Sequence, residues 1–555
     1  MDLVLRNGQV VDGTGAPARP ADVGVAGGRI VAVGEIGAAA GAEEIDLDGL
    51  ALAPGFIDIH THYDAQVMWD PDLTPSCWHG VTTVVMGNCG FGVAPTKAEH
   101  RELILRTLEN VEGMSLEALT QGVDWSFETF AEYLDVVRSQ PLRLNVGALI
   151  GHTPLRLSVM GEAATEREAT TEEITEMRAV VADAVNAGAV GFASSAAPTH
   201  AGAYGKPVPS RFATFDEYLG VAMGLADAGR GVMQATAGAT LFIDQFAEIS
   251  KATGRPVSWT ALLTGMFGKG AALRAVDATE EAGGEVWPQV SCRPLVMQLT
   301  LADPFALSMV EGFDEVLAAE RPERAAFYRD PAWRDRARPH VNKFWGDRLT
   351  NATVQETELH PELRGGPTLG ALAAERGADP FDVLCDLALE EDLRTRFRVV
   401  LANDDEEEIG QLLQDRRTVL GLSDAGAHAS QLCDANFSTF LLAEWTRKRG
   451  TLSLEEAVWR LTDSVARAFR LDGRGRLAEG YSADLVAFDP DTVDTTELER
   501  VHDLPGGADR LIARSVGIEH MWVNGVAVRR HGADLDLDGT APGTVMEAGT
   551  LDPGA

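Results

Sequence analysis

Eight short apolar runs, separated by stretches with helical periodicity, fill the middle of the chain: FIDIH at 56–60, VTTVVMG at 81–87, LNVGALIG at 144–151, AVGFAS at 189–194, GVMQAT at 231–236, VSWTAL at 257–262, VWPQVS at 286–291 and TVLGLSD at 418–424. Alternation of this kind is the pattern of a parallel sheet with helical crossovers. Eight strand-plus-helix units predict an α/β fold, a closed (β/α)8 TIM-like barrel. The intervening helices carry ordinary boundary signals: TEEITEMRAVVADAVNAG starts at Thr171 with an acidic first turn and stops at Gly188. Between the seventh and eighth runs the gap is too long for one crossover. Residues from about 300 to 403, including a helix opened by Asp379-Pro380, are read as an insertion over the barrel mouth. Excursions at that face are usually lids or specificity elements.

Both ends have a different texture. Residues 1–53 alternate in period two, with Asn-Gly, Asp-Gly and Gly-Gly turns, and the same pattern returns in YSADLVAFDP and IEHMWVNGVAVRR. Two strand-rich ends flanking a barrel predict one small β-sandwich domain built from both; two unrelated β flaps are the alternative. The expected layout is 1–53 and 471–540 for that domain, 54–470 for the barrel with its insertion, and 541–555 as a loosely ordered tail. A length of 555 residues exceeds what one core ordinarily holds.

Charge excludes several partners. With 84 acidic and 47 basic side chains the formal net charge is −37, and no basic run exists to hold a polyphosphate or an anionic membrane surface. The expected ligand is a small molecule. The acidity itself reads as a solubility device, an acid-rich background or a property of the substrate. Five cysteines without a CxxC pair fit a reducing compartment, and Asp2 and Asn7 interrupt the apolar residues of the N-terminus. No signal peptide or membrane span is expected, so the predicted location is cytoplasmic.

Chemistry concentrates at the ends of the predicted strands, which in a barrel of this class face the active site. In PGFIDIHTHYD, His60 and His62 lie two apart on an extended chain, so both imidazoles point to one side and can reach one ion. Asp424, in GLSDAGAH, falls beside the first strand once the barrel closes; a helix N-cap is its competing role. Cys89, in GNCGFG after the second strand, offers a thiolate suited to zinc, against a buried inert thiol. His152 follows the third strand and His428 the eighth; either is a ligand, a proton donor, a hydrogen-bond donor to substrate, or structural. His79, His100, His200, His340, His360, His502, His520 and His531 are assigned to surface or packing. Trp259, Met266 and Phe267 form a candidate apolar wall for substrate, unless they are core.

These residues, with their surrounding text, resemble the amidohydrolase superfamily and within it the D-aminoacylase (N-acyl-D-amino-acid deacylase) branch. The matching passages are APGFIDIHTHYD at 53–64, HGVTTVVMGNCGFGVAP at 79–95, GHTPLR at 151–156, GLSDAG at 421–426 and LTDSVARAFRLDGRGRLAEGYSADLVAFDPDTV at 461–493, which touch nearly the whole length. The resemblance implies one or two divalent metals, usually zinc, held by the HxH, the GNCG cysteine, one histidine each from strands five and six, and the strand-eight aspartate. His60, His62, Cys89 and Asp424 match. The strand-five and strand-six histidines do not: GVMQATAG at 231–238 and RPVSWTALLTG at 255–265 contain none. Since the family's tightly held site uses the cysteine and those two histidines, one ion is expected rather than two. The family's carboxylate-binding residues also have no Lys or Arg counterpart after strands six and eight, and an unpaired carboxylate is costly to bury. The resemblance therefore implies a homo-oligomeric, metal-dependent hydrolase of a non-peptide C–N bond with a neutral or apolar substrate. Asp424 would be general base then acid, with His152 or His428 steadying the oxyanion. Hydrolysis of a lactone or another carbonyl compound, and a degenerate barrel that only binds, are the alternatives.

Overall fold

The barrel is present, and its closure is the feature that positions everything else. The computed structural model describes residues 1–266, 268–537 and 539–549. Eight parallel strands, Phe56–Thr61 (β1), Val81–Met86 (β2), Asn145–Gly151 (β3), Gly191–Ser195 (β4), Val232–Thr236 (β5), Val257–Leu262 (β6), Val286–Val290 (β7) and Val419–Leu420 (β8), pair in that order. They coincide with the eight apolar runs. Their residues are almost all buried on both faces, as expected for strands packed between helices and a filled interior. Only two residues of β8 are regular, but the chain beyond them seals the ring onto β1. His62 donates its N–H to the Ala425 carbonyl at 2.7 Å, and the Ser423 hydroxyl bridges the Asp58 carboxylate (2.6 Å) and the His60 carbonyl (2.9 Å).

Helix boundaries follow the local chemistry. Thr170 and Glu173 form a reciprocal capping box at the start of the helix Thr171–Ala187, and Gly188, at φ +120°, ends it. Asp379 accepts the Phe381 N–H at 2.9 Å and caps the helix Pro380–Glu390.

The insertion is a body with its own core. Strands Leu295–Leu299, Arg396–Ala402 and Thr353–Glu356 form an antiparallel sheet, on which helices bury Phe313, Tyr328, Trp333 and Phe381. It is tied to the segments that follow the C-terminal ends of two barrel strands. Asn403 exchanges two hydrogen bonds with Thr264 beyond β6, and Gln298 donates to the Gln431 carbonyl beyond β8.

Strands from both ends join in one nine-stranded sheet, the central link being Ala51–Pro54 antiparallel to Leu485–Phe488. The sheet folds over so that Arg29 bridges Ser482 and Ile30 donates to the Tyr481 carbonyl, enclosing Leu5, Val23, Leu52, Leu485 and Trp522. Ala51–Pro54 runs directly into β1, so the small domain holds the first barrel strand from behind. A hairpin of Glu499–Val501 and Arg510–Ile512 reaches forward, where Leu511 donates to the Ala429 carbonyl at 2.6 Å.

The tail behaves differently from its composition. Residues 541–549 lie along the barrel: Val146 donates to the Thr544 carbonyl, Met546 to the Val146 carbonyl and Gly549 to the Arg470 carbonyl, and the Met546 side chain is buried. Turn-rich sequence hid this because backbone pairing supplies the order. Residues 550–555 lie outside the described residues. Deleting 541–555 is expected to cost about 2 kcal/mol or more, from the buried Met546 and Ala548 side chains and four backbone hydrogen bonds. A thermal scan checks this, and an unchanged Tm would restore the loose-tail reading.

Candidate metal centre

At the C-terminal end of β1 the two-residue period places both imidazoles inward. His60 and His62 are buried, with ring centroids 5.4 Å apart. Cys89 enters from the turn after β2. That turn needs Gly87, whose φ is +87° and whose position would put a Cβ 2.2 Å from the Leu149 carbonyl oxygen of β3. Asn88 ties the turn to the Thr61 and Val85 carbonyls. Asp424 arrives with the closing segment of β8. Its Oδ1 lies 3.1 Å from His60 Nε2 and 3.7 Å from His62 Nε2, and Cys89 Sγ lies 3.5 Å from His60 Nε2. Ligand atoms of His60, His62 and Cys89 all fall within 4.8 Å of one another. The four residues expected to meet do meet, and the Asp424 side chain keeps 29% exposure.

Three further residues, absent from the sequence reading, complete the shell. Gln289 Oε1, on β7, is 2.8 Å from His60 Nδ1; a carbonyl oxygen accepts, so Nδ1 carries the proton and Nε2 faces the centre. Gln234, on β5, accepts the Cys89 N–H at 2.6 Å and points its amide nitrogen toward Thr260 of β6. Thus the fifth and sixth strands present an amide and a hydroxyl to this side of the centre. Glu112, at the end of the helix Arg101–Val111, places Oε1 3.3 Å from His62 Nδ1. Strand parity could have exposed Gln234 and Gln289. Nothing in the local pattern marks Glu112, which comes from a long excursion between β2 and β3.

Electrostatically the groups polarise one another. Burial opposes charge on all of them, yet Cys89 and Asp424 raise the His60 imidazole, and Glu112 and Asp424 raise that of His62. The two imidazoles hold Asp424 well below the usual carboxylate range against burial. They also bring the Cys89 thiol, which burial alone would push up, down to about 6. Burial lifts Glu112 to about 8 although His62 pulls the other way.

Several expected site residues stand elsewhere. His152 is committed at both nitrogens, to the Ser194 hydroxyl (2.8 Å) and to Glu217 (3.1 Å), which also binds Arg156; it is locked among barrel and helix and does not steady an oxyanion. Trp259 faces outward, stacked on Phe246 at 5.8 Å, because its neighbours Ser258 and Thr260 take the inward positions of β6. It is core, not a substrate wall. Met266 is 44% exposed on the loop after β6, and Phe267 lies outside the described residues. His428 does sit at the centre: its N–H donates to the Glu112 carbonyl at 2.5 Å, and burial, ahead of the opposing charge of Asp424, lowers its imidazole to about 4. His200, assigned to packing, bonds the Ser195 hydroxyl at 2.6 Å and feels the charges of His62, His428 and Asp424. It belongs to the rim of the site.

Comparison with known proteins identifies the family and the fold. A model described as the amidohydrolase family matches residues 43–305 and 338–529. The chain is 30% identical over 541 residues to a D-aminoacylase of Alcaligenes xylosoxydans xylosoxydans, covering 95% of this chain and 94% of that one. A solved D-aminoacylase superposes with a TM-score of 0.68 at 28% identity, covering 99% of each chain; it is described through its binuclear metal centre, with one-metal activation and second-metal attenuation. The N-acyl-D-glutamate deacylase of Bordetella bronchiseptica, solved with zinc and a phosphonate mimic of the tetrahedral intermediate, gives 0.66 at 28% identity, covering 99% of this chain and 100% of that one.

The electrostatics make one cysteine distinctive. Burial raises Cys77, Cys292, Cys385 and Cys433, whereas Cys89 is lowered. In metal-free protein, alkylation near neutral pH with peptide mapping is expected to modify Cys89 ahead of the other four, with the rate halving as the pH falls to about 6. A profile rising only around the ordinary thiol value of about 8.5 would contradict the coupling to the histidines.

Proposed function

The chain belongs to the amidohydrolase family, and from that premise we propose that it hydrolyses a non-peptide carbon–nitrogen bond of an N-acyl compound with one divalent ion held by His60, His62, Cys89 and Asp424. The observation that carries the reading is the cluster of His60, His62 and Cys89 ligand atoms, all within 4.8 Å of one another, with Asp424 Oδ1 3.1 and 3.7 Å from the two imidazole Nε2 atoms. Two nitrogens, a thiolate and one oxygen suit zinc better than magnesium or calcium, which take oxygen ligands. A single ion is favoured because the fifth and sixth strands contribute Gln234 and Thr260, neither an anion nor an imidazole.

A divalent ion bound there supplies Lewis acidity, polarising a carbonyl and acidifying water. The protein's own groups do the rest. Asp424, partly exposed and held anionic by two histidines, is placed to take the proton of the attacking water and to return it to the leaving nitrogen. His428, neutral at physiological pH, is the histidine positioned to bond the developing oxyanion, in place of His152. Arg293, beyond β7, is paired with Asp434 at 2.9 Å and stacked on Phe440, so it is not available to a substrate carboxylate. These facts favour a substrate that is neutral around the scissile bond. Arg211 supports a second reading. It is half-buried on the loop after β4, donates to the His200 carbonyl and has no carboxylate partner among the described residues, which suits an acidic group at the far end of the substrate.

All five cysteines are free and buried, consistent with the proposed cytoplasmic location. No helix among the described residues is long and apolar enough to cross a membrane. A homo-oligomer belongs to the same proposal, and light scattering coupled to gel filtration measures it.

Elemental analysis of purified protein is expected to find about one ion per chain, with activity lost on chelation and regained with zinc. Near-zero metal with no rate recovered would overturn the enzyme reading. Asp424→Asn is expected to lower kcat by about 10²–10⁴-fold; full turnover with metal retained would remove Asp424 as the base. In a panel of N-acyl compounds, neutral substrates are expected to lead. Preference for free carboxylates, lost in Arg211→Ala, would establish the second reading instead.

A further inference from the structure

We propose that Glu112 is a positioning residue for the metal centre, fixing the His62 ring so that Nε2 faces the ion. The inference rests on His62 being a ligand, as argued above. It goes further by assigning a role to a residue that lies some way along the chain from every ligand motif.

The placement is specific. Glu112 caps the C-terminus of the helix Arg101–Val111, its N–H donating to the Leu108 carbonyl at 3.0 Å, so the residue is anchored from the helix side. Its side chain is 4% exposed and puts Oε1 3.3 Å from His62 Nδ1. On the other side of the ring, His62 Nε2 looks toward Asp424 Oδ1 at 3.7 Å. The carboxylate therefore stands behind the imidazole rather than among the converging ligand atoms, and those that lie within 4.8 Å of one another come from His60, His62 and Cys89. An acceptor behind a ligating imidazole fixes its tautomer and orientation and raises its basicity.

The main chain of the same residue holds the opposite wall. The Glu112 carbonyl accepts the His428 N–H at 2.5 Å. Gly113, at φ +57°, lets the chain pass so close that a Cβ there would lie 3.0 Å from His428 Nδ1. One residue thus connects the excursion after β2 with the ligand strand β1 and the segment after β8. The partner histidine is held differently, by the Gln289 amide at 2.8 Å, so one ligand imidazole is backed by a carboxyl group and the other by an amide.

Zinc binding by the full-length, chelator-stripped protein, measured by competition with a chromophoric chelator, tests this independently of turnover. The absorption spectrum of the cobalt-substituted protein reports ligand geometry. Two variants lacking an acceptor, Glu112→Met, which keeps the volume, and Glu112→Ala, guard against loss of folding, monitored by the Tm of the metal-free forms. Each folded variant is expected to bind zinc about 10–100-fold more weakly with an altered cobalt spectrum. Glu112→Gln, whose carbonyl still accepts the Nδ1 proton, is expected to recover most of the affinity. In the His62→Ala background the Glu112→Met change should cost little more. Wild-type affinity in Glu112→Met, no recovery in Glu112→Gln, or full additivity with His62→Ala would each overturn the positioning role. A wild-type chain that binds no zinc would instead overturn the metal-centre reading itself.

Discussion

The closure of β8 onto β1 is the contact on which the centre depends. Ser423 joins the Asp58 carboxylate and the His60 carbonyl, and His62 donates to the Ala425 carbonyl, so the residue between, Asp424, has one place to go. Its φ of +45° is the backbone consequence of aiming a carboxylate inward while its neighbours are pinned to the adjacent strand. The ligands therefore come from three strand ends that only a closed ring brings together. No local segment could assemble them.

The buried charges around that point would be ruinous in isolation. A lone carboxylate or imidazolium removed from water costs several kcal/mol even after relaxation. Here the thiol and the carboxylate are driven toward their anionic forms and both imidazoles toward their cationic ones, each offsetting the desolvation of the others. Such mutual dependence marks a functional constellation more than a stabilising one, since a well-packed apolar core needs none of it. Glu112 and Gln289 extend the pattern outward, each engaging the Nδ1 side of one ring.

Much of this was legible from residue order. Eight apolar runs at the right spacing specify the barrel, and the two-residue period of an extended chain is enough to aim His60 and His62 together. Trp259 shows where the same rule was misapplied. In β6, Ser258 and Thr260 occupy the inward register, which sends the indole outward to Phe246. His152 looked available because it follows a strand, but its partner Glu217 sits on a helix far along the chain and no local pattern announces that bond. Glu112 and His200 were out of reach for a related reason: both lie on excursions whose path over the mouth is set by tertiary packing. The segment 541–549 was misjudged because its order comes chiefly from main-chain pairing with β3 and its flanks, which side-chain composition does not announce.

The sheet shared by the two chain ends has a consequence in time. Ala51–Pro54, which leads into the first barrel strand, finds its antiparallel neighbour only in Leu485–Phe488. During synthesis at roughly 5–20 residues per second, that neighbour emerges about 20 to 90 seconds later. Until then the N-terminal strands have an open edge, and until residues 419–424 are made the barrel lacks its last wall. The protein must therefore spend most of its translation as an unfinished ring, with the ligand residues of β1 and β2 already made and the aspartate that joins them not yet in existence.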